Sequence, residues 1–199
     1  MDPQRSHINS RSGPPPRVVL LATAVVAGIV AAGVVGGSHP FSPGAAAATG
    51  PAPAGPEVGR PAPALAVPAL AGGQLTLAQY AGRPRVIGFF AASCIDCLPD
   101  LAALEQVYRR YRRQGLVVLG IGVAATASDA RGLARQAGAT FPIGYDENGD
   151  LAVRAYRLIT VPVTVFVSPA GTIMGIAQGR ISDRVLAQYL GRILAAATR

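Results

Sequence analysis

Two apolar runs of strand length, separated by an amphipathic helical pattern, constrain the fold of this chain more than any other feature. The runs are RVIGFFAA at 85–92 and LVVLGIGV at 116–123, and each suits a strand that is buried on both faces. Between them, LAALEQVYRRYRR at 101–113 places its apolar residues at helical spacing, and Gly115 ends the pattern. This order predicts a right-handed βαβ unit with two parallel strands.

The chain after this unit predicts further elements of the same domain. SDARGLARQAG at 128–138 is typical of a helix with Ser128 as its cap, and VPVTVFVSPAGTIMGIAQG at 161–179 predicts strand, turn and strand. Ser182 then caps a last helix. The order βαβα followed by ββα predicts an α/β fold with a central mixed sheet and helices on both faces.

An uncharged apolar segment, residues 18–37, predicts a transmembrane helix, since as a helix it rises roughly 30 Å. The arginines of residues 1–17 predict that this basic N-terminus stays in the cytoplasm. A cleaved signal peptide is the alternative, although its apolar region is usually only about 7–15 residues long. The chain is then a single-pass membrane protein or a secreted one, and either way its bulk lies outside the cytoplasm, where disulfides persist.

Residues 38–56 are rich in proline, alanine and glycine and carry no formal charge before Glu57. We interpret them as a linker that holds a domain, residues 57–199, at most roughly 60 Å from the membrane at about 3.1 Å per residue.

The formal net charge is +8, and every basic side chain is arginine. We interpret this charge as a compositional bias, and the arginines at 109–113 as a solvated helix end rather than a lipid or phosphate site, because cations favour the last turn of a helix. No nucleic-acid-binding motif accompanies them, and aromatic residues make up only 6% of the chain. The sequence therefore predicts no nucleic-acid partner.

The only two cysteines, Cys94 and Cys97, stand between the first apolar run and the helix. If the helix begins near Cys94, its unpaired N–H groups and its dipole favour a thiolate there, and Cys97 returns to the same side one turn later. Such a pair can alternate between dithiol and disulfide. Cys94 would attack a partner's disulfide, and Cys97 would resolve the mixed disulfide.

Three other interpretations of the pair compete: half of a zinc site, an inert structural disulfide and a copper relay. Zinc needs about four ligands, and the histidines, His7 and His39, lie outside the domain. A loop this short gains little from a structural cross-link. Copper relays usually recruit a nearby His or Met, and Met174 is the domain's one candidate. The pattern favours a redox-active disulfide with no metal and no other cofactor.

In these motifs and their order, the chain resembles membrane-tethered thioredoxin-like thiol-disulfide oxidoreductases of the TlpA/ResA kind, within the redoxin and AhpC/TSA group. The resemblance runs from about residue 57 to 190, and its motifs are CIDC at 94–97, TVPVTVF at 160–166 and SPAGTI at 168–173. It implies a thioredoxin fold with a cis Val161–Pro162 bond packed against the cysteines, and a Val161 backbone that pairs with an extended partner chain.

Asp100 occupies the position at which these relatives commonly carry a glutamate near the active site. The resemblance implies that its carboxylate exchanges protons with the cysteine pair. The alternative is a first-turn acid that the helix dipole favours.

Four positions depart from the family pattern. Ser93 replaces the usual Trp, Asp96 the common Pro, and Pro99 stands unusually close to the pair. We expect the charge of Asp96 to oppose a thiolate on Cys94, which weakens the protein as an oxidant. Gly88 replaces a polar or acidic strand residue of many relatives and leaves no strand acid to assist the second cysteine.

The resemblance implies an oxidoreductase that reduces disulfides of protein partners outside the cytoplasm, as in cytochrome c maturation, with electrons from a membrane redox protein. A thiol peroxidase of the same superfamily is one alternative, although such proteins usually carry Thr or Ser at the position of Ala91. A non-catalytic binding module that uses the surface near Val161 is the other.

Overall fold

A computed structural model describes residues 56–198 of the chain. The expected cytoplasmic N-terminus (1–17), the apolar segment (18–37) and all of the linker (38–56) except its last residue lie outside the described part. Within residues 56–198, no helix combines the length and the apolar character needed to span a bilayer.

Seven strands and three α-helices make up the described chain. In chain order they are β1 (Ala66–Pro68), β2 (Gln74–Thr76), β3 (Arg85–Phe90), α1 (Cys97–Tyr111), β4 (Val117–Val123), α2 (Ala127–Gln136), β5 (Ile143–Asp146), β6 (Val163–Val167), β7 (Ile173–Gln178) and α3 (Asp183–Ala195). Short turns of 3-10 helix cover Ala78–Tyr80 and Arg112–Gln114, and a π-helical turn covers Leu151–Ala155.

The central sheet has five strands in the order β5-β4-β3-β6-β7. β3, β4 and β5 are parallel, β6 is antiparallel to β3, and β7 is antiparallel to β6. Every residue of β3 and β6 is buried, as expected of strands covered on both faces. The predicted βαβ unit and mixed sheet are therefore confirmed.

The three α-helices pack on one face of this sheet, where Leu104, Leu133 and Leu190 join the same buried cluster. The reason is the strand order. The connections from β3 to β4 and from β4 to β5 step in the same direction, so right-handed crossovers place α1 and α2 on the same side. The other face is covered by the β1–β2 hairpin, through Val67 and Leu75 among others, and by the chain around the turn Leu151–Ala155. The expectation of helices on both faces is met only through that single turn.

The two predicted helix caps differ in their outcome. Ser182 caps α3, because its side chain accepts a hydrogen bond from the Val185 N–H. Ser128 does not cap α2, and that prediction was wrong: the cap is Thr126, whose Oγ1 accepts from the Asp129 N–H while Asp129 accepts from the Thr126 N–H. Reciprocal bonds of this kind satisfy two backbone donors, which Ser128 inside the first turn does not do.

The chain before β1 lies along the turn between β6 and β7. The Gly59 N–H donates to the Ile173 carbonyl at 2.8 Å, the Ile173 N–H to the Arg60 carbonyl at 2.9 Å, and the Ala62 N–H to the Gly171 carbonyl at 2.8 Å. Residues 59–62 therefore extend the edge of the sheet next to β7.

Candidate active site

The cysteine pair follows the carboxyl end of β3. The sequence predicted that α1 begins near Cys94, but it begins at Cys97. Cys94 lies in the preceding turn, where its N–H donates to the Ala91 carbonyl and its carbonyl accepts from the Cys97 N–H, each at 3.2 Å. Pro99 is tolerated in the first turn of α1, where an N–H has no partner inside the helix. The helix dipole thus acts on Cys94 from about one turn further away than predicted.

The two sulfurs form a disulfide, and their surroundings are unequal. Cys97 is 0% exposed, whereas Cys94 is half-buried. Thiol–disulfide exchange needs access to the attacked or attacking sulfur. Of the two, Cys94 is therefore the sulfur that a partner protein can reach.

The Val161–Pro162 peptide bond is cis, as the resemblance implied, and it lies against the pair. The Val161 carbonyl oxygen is 3.7 Å from the Cys94 sulfur. The strand ladder begins only at Val163, which pairs with Phe89 and Gln178. The backbone of Val161 therefore stands beside the reactive sulfur but outside the sheet.

Two exposed apolar side chains that the sequence pattern did not indicate lie close to these residues in the chain. Ile95 follows Cys94 and is 89% exposed, and Ile159 lies two residues before Val161 and is 100% exposed. Both side chains are therefore close in sequence to the groups that a docking partner would contact. An apolar residue between the cysteines was a visible signal for Ile95, whereas the position of Ile159 depends on the tertiary fold.

Asp100 lies in the first turn of α1, as the alternative of a first-turn acid expected, and it is buried, with 4% of its surface exposed. Both carboxylate oxygens accept from the Ile181 N–H at 3.2 Å. Burial raises the pKa of Asp100 from 3.8 to about 6, while the Ile181 hydrogen bond and the charge of Arg180 act in the opposite direction and Asp96 adds to the rise. A carboxyl group with this pKa can take up and release a proton near neutral pH.

A cavity of about 10 Å³ connects the groups beneath the disulfide, and Cys97, Asp100, Pro162 and Thr164 line it together with Gly88. This volume is at the lower limit for a single water molecule. Asp100 and Cys97 therefore face the same enclosed space, and α1 supplies the carboxyl group that β3 does not carry.

Gly88 is required by the packing of α1 on β3. A Cβ atom at this position would lie 2.6 Å from Cδ1 of the buried Leu104. We therefore expect Gly88→Ala to lower the free energy of unfolding by about 1–3 kcal/mol, measured by urea denaturation of the oxidised protein. Leu104→Val removes the clashing methyl group, so the double variant should lose less stability than the sum of the single variants. Additive losses would contradict the proposed clash.

The described residues do not bring metal ligands together. In the range 56–198, no group of three or more His, Cys, Asp or Glu side chains is placed to hold a metal ion. His7 and His39, which the zinc alternative considered, lie outside that range.

The sequence is similar to those of known thiol-disulfide oxidoreductases. Residues 58–176 match the sequence profile of the AhpC/TSA family. Over 136 residues the chain is 26% identical to the thiol-disulfide oxidoreductase ResA of Geobacillus thermodenitrificans. The alignment covers 68% of this chain and 78% of that protein. The resemblance inferred from the sequence is thus confirmed.

Solved structures share the fold. A thiol:disulfide interchange protein of the thioredoxin family from Chlorobium tepidum superposes with a TM-score of 0.61 at 19% identity, over 69% of this chain and 98% of the other. A secreted Mycobacterium tuberculosis disulfide oxidoreductase homologous to Escherichia coli DsbE superposes with a TM-score of 0.57 at 19% identity, over 64% and 95% of the two chains. The domain therefore has a thioredoxin fold.

Proposed function

Because the chain belongs to the AhpC/TSA family and is a thiol-disulfide oxidoreductase, we propose that it reduces disulfides of protein partners outside the cytoplasm. The observation that carries this proposal is the unequal exposure of the two sulfurs beside the cis-proline loop. It assigns attack to Cys94 and resolution to Cys97.

The reaction begins with both cysteines reduced. The Cys94 thiolate attacks one sulfur of the partner's disulfide, a mixed disulfide forms, and the other partner sulfur leaves as a thiolate. Cys97, as a thiolate, then attacks the Cys94 sulfur. This step forms the Cys94–Cys97 disulfide and releases the second partner thiolate, so the partner gains two electrons and the cysteine pair loses two.

Asp100 serves the second step. Cys97 is buried, and its thiol must lose a proton before it can attack. The carboxylate of Asp100 lines the same cavity and, with a pKa of about 6, is mostly ionised at neutral pH and accepts this proton.

Val161 and the two exposed isoleucines receive the partner. An extended segment of the partner can pair with the Val161 backbone, which the sheet leaves outside its ladder. Ile95, next to Cys94, and Ile159, two residues before Val161, offer exposed apolar side chains, so the segment gains affinity from its side chains as well as its backbone.

The sequence supports the proposed compartment and electron donor. The apolar segment 18–37 and the basic residues before it support export of the domain on a membrane tether. Each turnover leaves the pair oxidised, so a membrane redox protein with a dithiol must reduce it again. A role in cytochrome c maturation, where haem-binding cysteines must be kept reduced, fits this arrangement.

A trapping experiment tests the proposal. Cys97→Ala removes the resolving thiol, so we expect the partner to remain attached to Cys94 and to be released by dithiothreitol in a pull-down from membranes. The matched control is the Cys94→Ala/Cys97→Ala variant, which should trap nothing. Equal capture by both variants would instead support the non-catalytic binding module, and peroxide consumption that depends on Cys94 would support the peroxidase.

A further inference from the structure

The three α-helices within residues 56–198 carry charge in the same direction along their lengths. Asp100, Asp129 and Asp183 lie in the first turns of α1, α2 and α3. Arginines lie in the last turn of each helix and continue after α1 into the turn Arg112–Gln114. The first-turn acids therefore lie at the disulfide end of the sheet, where Arg180 and Arg184 also flank the start of α3, and the last-turn arginines lie at the opposite end.

The topology brings these basic helix ends to one edge. β3, β4 and β7 run in the same direction, and the helix after each of them returns toward the edge where the strands begin. Arg83 Nε donates to the Gly115 carbonyl at 2.9 Å, which joins the start of β3 to the end of α1. The Tyr189 ring of α3 packs 5.0 Å from that of Phe166, the partner of Val86 near the same edge.

We define the basic pole as six exposed arginines of this end: Arg83, Arg110, Arg112, Arg113, Arg135 and Arg192. None of them forms an ion pair with an acid of the described chain. The acid closest in sequence, Glu105, is buried and is bound by Arg109 at 2.6 Å.

Helix stability alone does not account for the pole. A cation in a last turn favours the helix dipole, but Arg83, Arg112 and Arg113 lie outside the α-helices. The guanidinium groups of Arg110 and Arg192 lie 5.4 Å from the ring centres of Tyr111 and Tyr189. Tyrosine beside arginine is a combination that favours the interface between water and lipid headgroups.

We propose that the basic pole binds the anionic headgroups of a bilayer and so turns the disulfide end away from the lipid. Guanidinium groups bind phosphate oxygens through paired hydrogen bonds, which suits this occupant. The inference rests on the proposed tether, since a linker that reaches roughly 60 Å keeps the domain beside the bilayer.

The proposed tether does not fix which end of the domain faces the bilayer, so the charges of the domain determine its orientation. The 15 residues of α1 measure about 22 Å, which is shorter than the reach of the linker, so either end of the domain can face the lipid. With the pole on the bilayer, Cys94 stands roughly one length of α1 above it, where it meets partner domains that project from the membrane.

Hydrogen exchange of the full chain in vesicles tests this orientation. In vesicles of phosphatidylcholine with phosphatidylglycerol, we expect the amides at the end of α1 to exchange more slowly than in phosphatidylcholine alone. Each arginine near an anionic surface strengthens association by about five-fold, so Arg110→Gln/Arg112→Gln/Arg113→Gln should weaken it by up to about 100-fold and abolish the protection. Salt at about 1 M, where the screening length is only about 3 Å, should do the same.

The matched control removes three exposed arginines elsewhere, in Arg131→Gln/Arg154→Gln/Arg184→Gln, and should keep the protection. Both variants should retain disulfide reduction. Alkaline extraction of the vesicles tests separately whether the chain is inserted in the bilayer. A failure of lipid binding by the basic pole can therefore be distinguished from a failure of the proposed function. Protection that is equal on both lipids, or lost equally in both variants, would overturn the inference. If soluble polyglutamate, at the same concentration of negative charge as the anionic lipid, displaces the basic pole from the vesicles, the pole instead binds an acidic protein.

Discussion

Cys94→Ser should reduce insulin disulfides no faster than dithiothreitol alone. Serine is close to cysteine in size, but its hydroxyl is not ionised near neutral pH and cannot form a mixed disulfide. Cys94 is also the only sulfur of the pair with exposed surface, so the buried Cys97 cannot replace it. The measurement is the rate of insulin precipitation with the purified full chain.

Cys97→Ser provides the control for this variant. It should also fail to reduce insulin repeatedly. A peptide whose cysteine is disulfide-bonded to glutathione should nevertheless form one adduct on Cys94. A Cys94→Ser variant that forms the same adduct on Cys97 would reverse the assignment of the two roles.

Asp100→Asn should change how the stability of the oxidised protein depends on pH. The pKa of Asp100 is raised by burial to about 6, so the folded state favours the protonated form. The stability that this group contributes is present below pH 3.8 and is lost as the pH rises through 6. Asparagine cannot ionise, and its side-chain oxygen can still accept from the Ile181 N–H.

The difference in unfolding free energy, variant minus wild type, should therefore rise by about 2–3 kcal/mol between about pH 4 and about pH 7. Urea denaturation at both pH values measures it. An unchanged difference would mean that the carboxylate is ionised in the folded protein at no cost.

Asp129→Asn is a control with the opposite sign. Hydrogen bonds from the Thr126 side chain and backbone lower the pKa of Asp129, so its contribution is present above the usual pKa and is lost as the pH falls. The variant should lose stability relative to wild type as the pH rises. With Cys97 present, Asp100→Asn should also slow the release of the partner from its mixed disulfide with Cys94, whereas Asp129→Asn should not.

The sequence predicted the parts of the fold that local pattern determines. β3 and β4 fall inside the two apolar runs, and the β6–β7 hairpin falls inside 161–179. β5 was missed, because its four residues include Gly144 and show no alternation, so that only pairing with β4 defines it. The strands β1 and β2 were missed because three residues are too few to show a periodic pattern, and only their antiparallel pairing defines them.

The candidate site was predictable where neighbours in sequence create it. The spacing of Cys94 and Cys97 predicted a disulfide, and the family resemblance predicted the cis bond before Pro162. The burial of Asp100 was not visible, because its backbone partner Ile181 is 81 residues away. The start of α1 was misplaced by one turn, since spacing cannot distinguish the last residues of a turn from the first of a helix.

The backbone bonds between residues 59–62 and the β6–β7 turn have a mechanical consequence. That turn follows Val167, the partner of Arg85, so it lies at the far end of β3 from the cysteines. Before Gly59, however, the chain runs along β7 toward the cysteine end, because Pro56 and Glu57 line a cavity with Ile159, Thr160 and Gln178. A pull on the chain that enters at Pro56 is therefore applied beside the loop before the cis-proline first, and only then to the hydrogen bonds at Ile173 and Gly171.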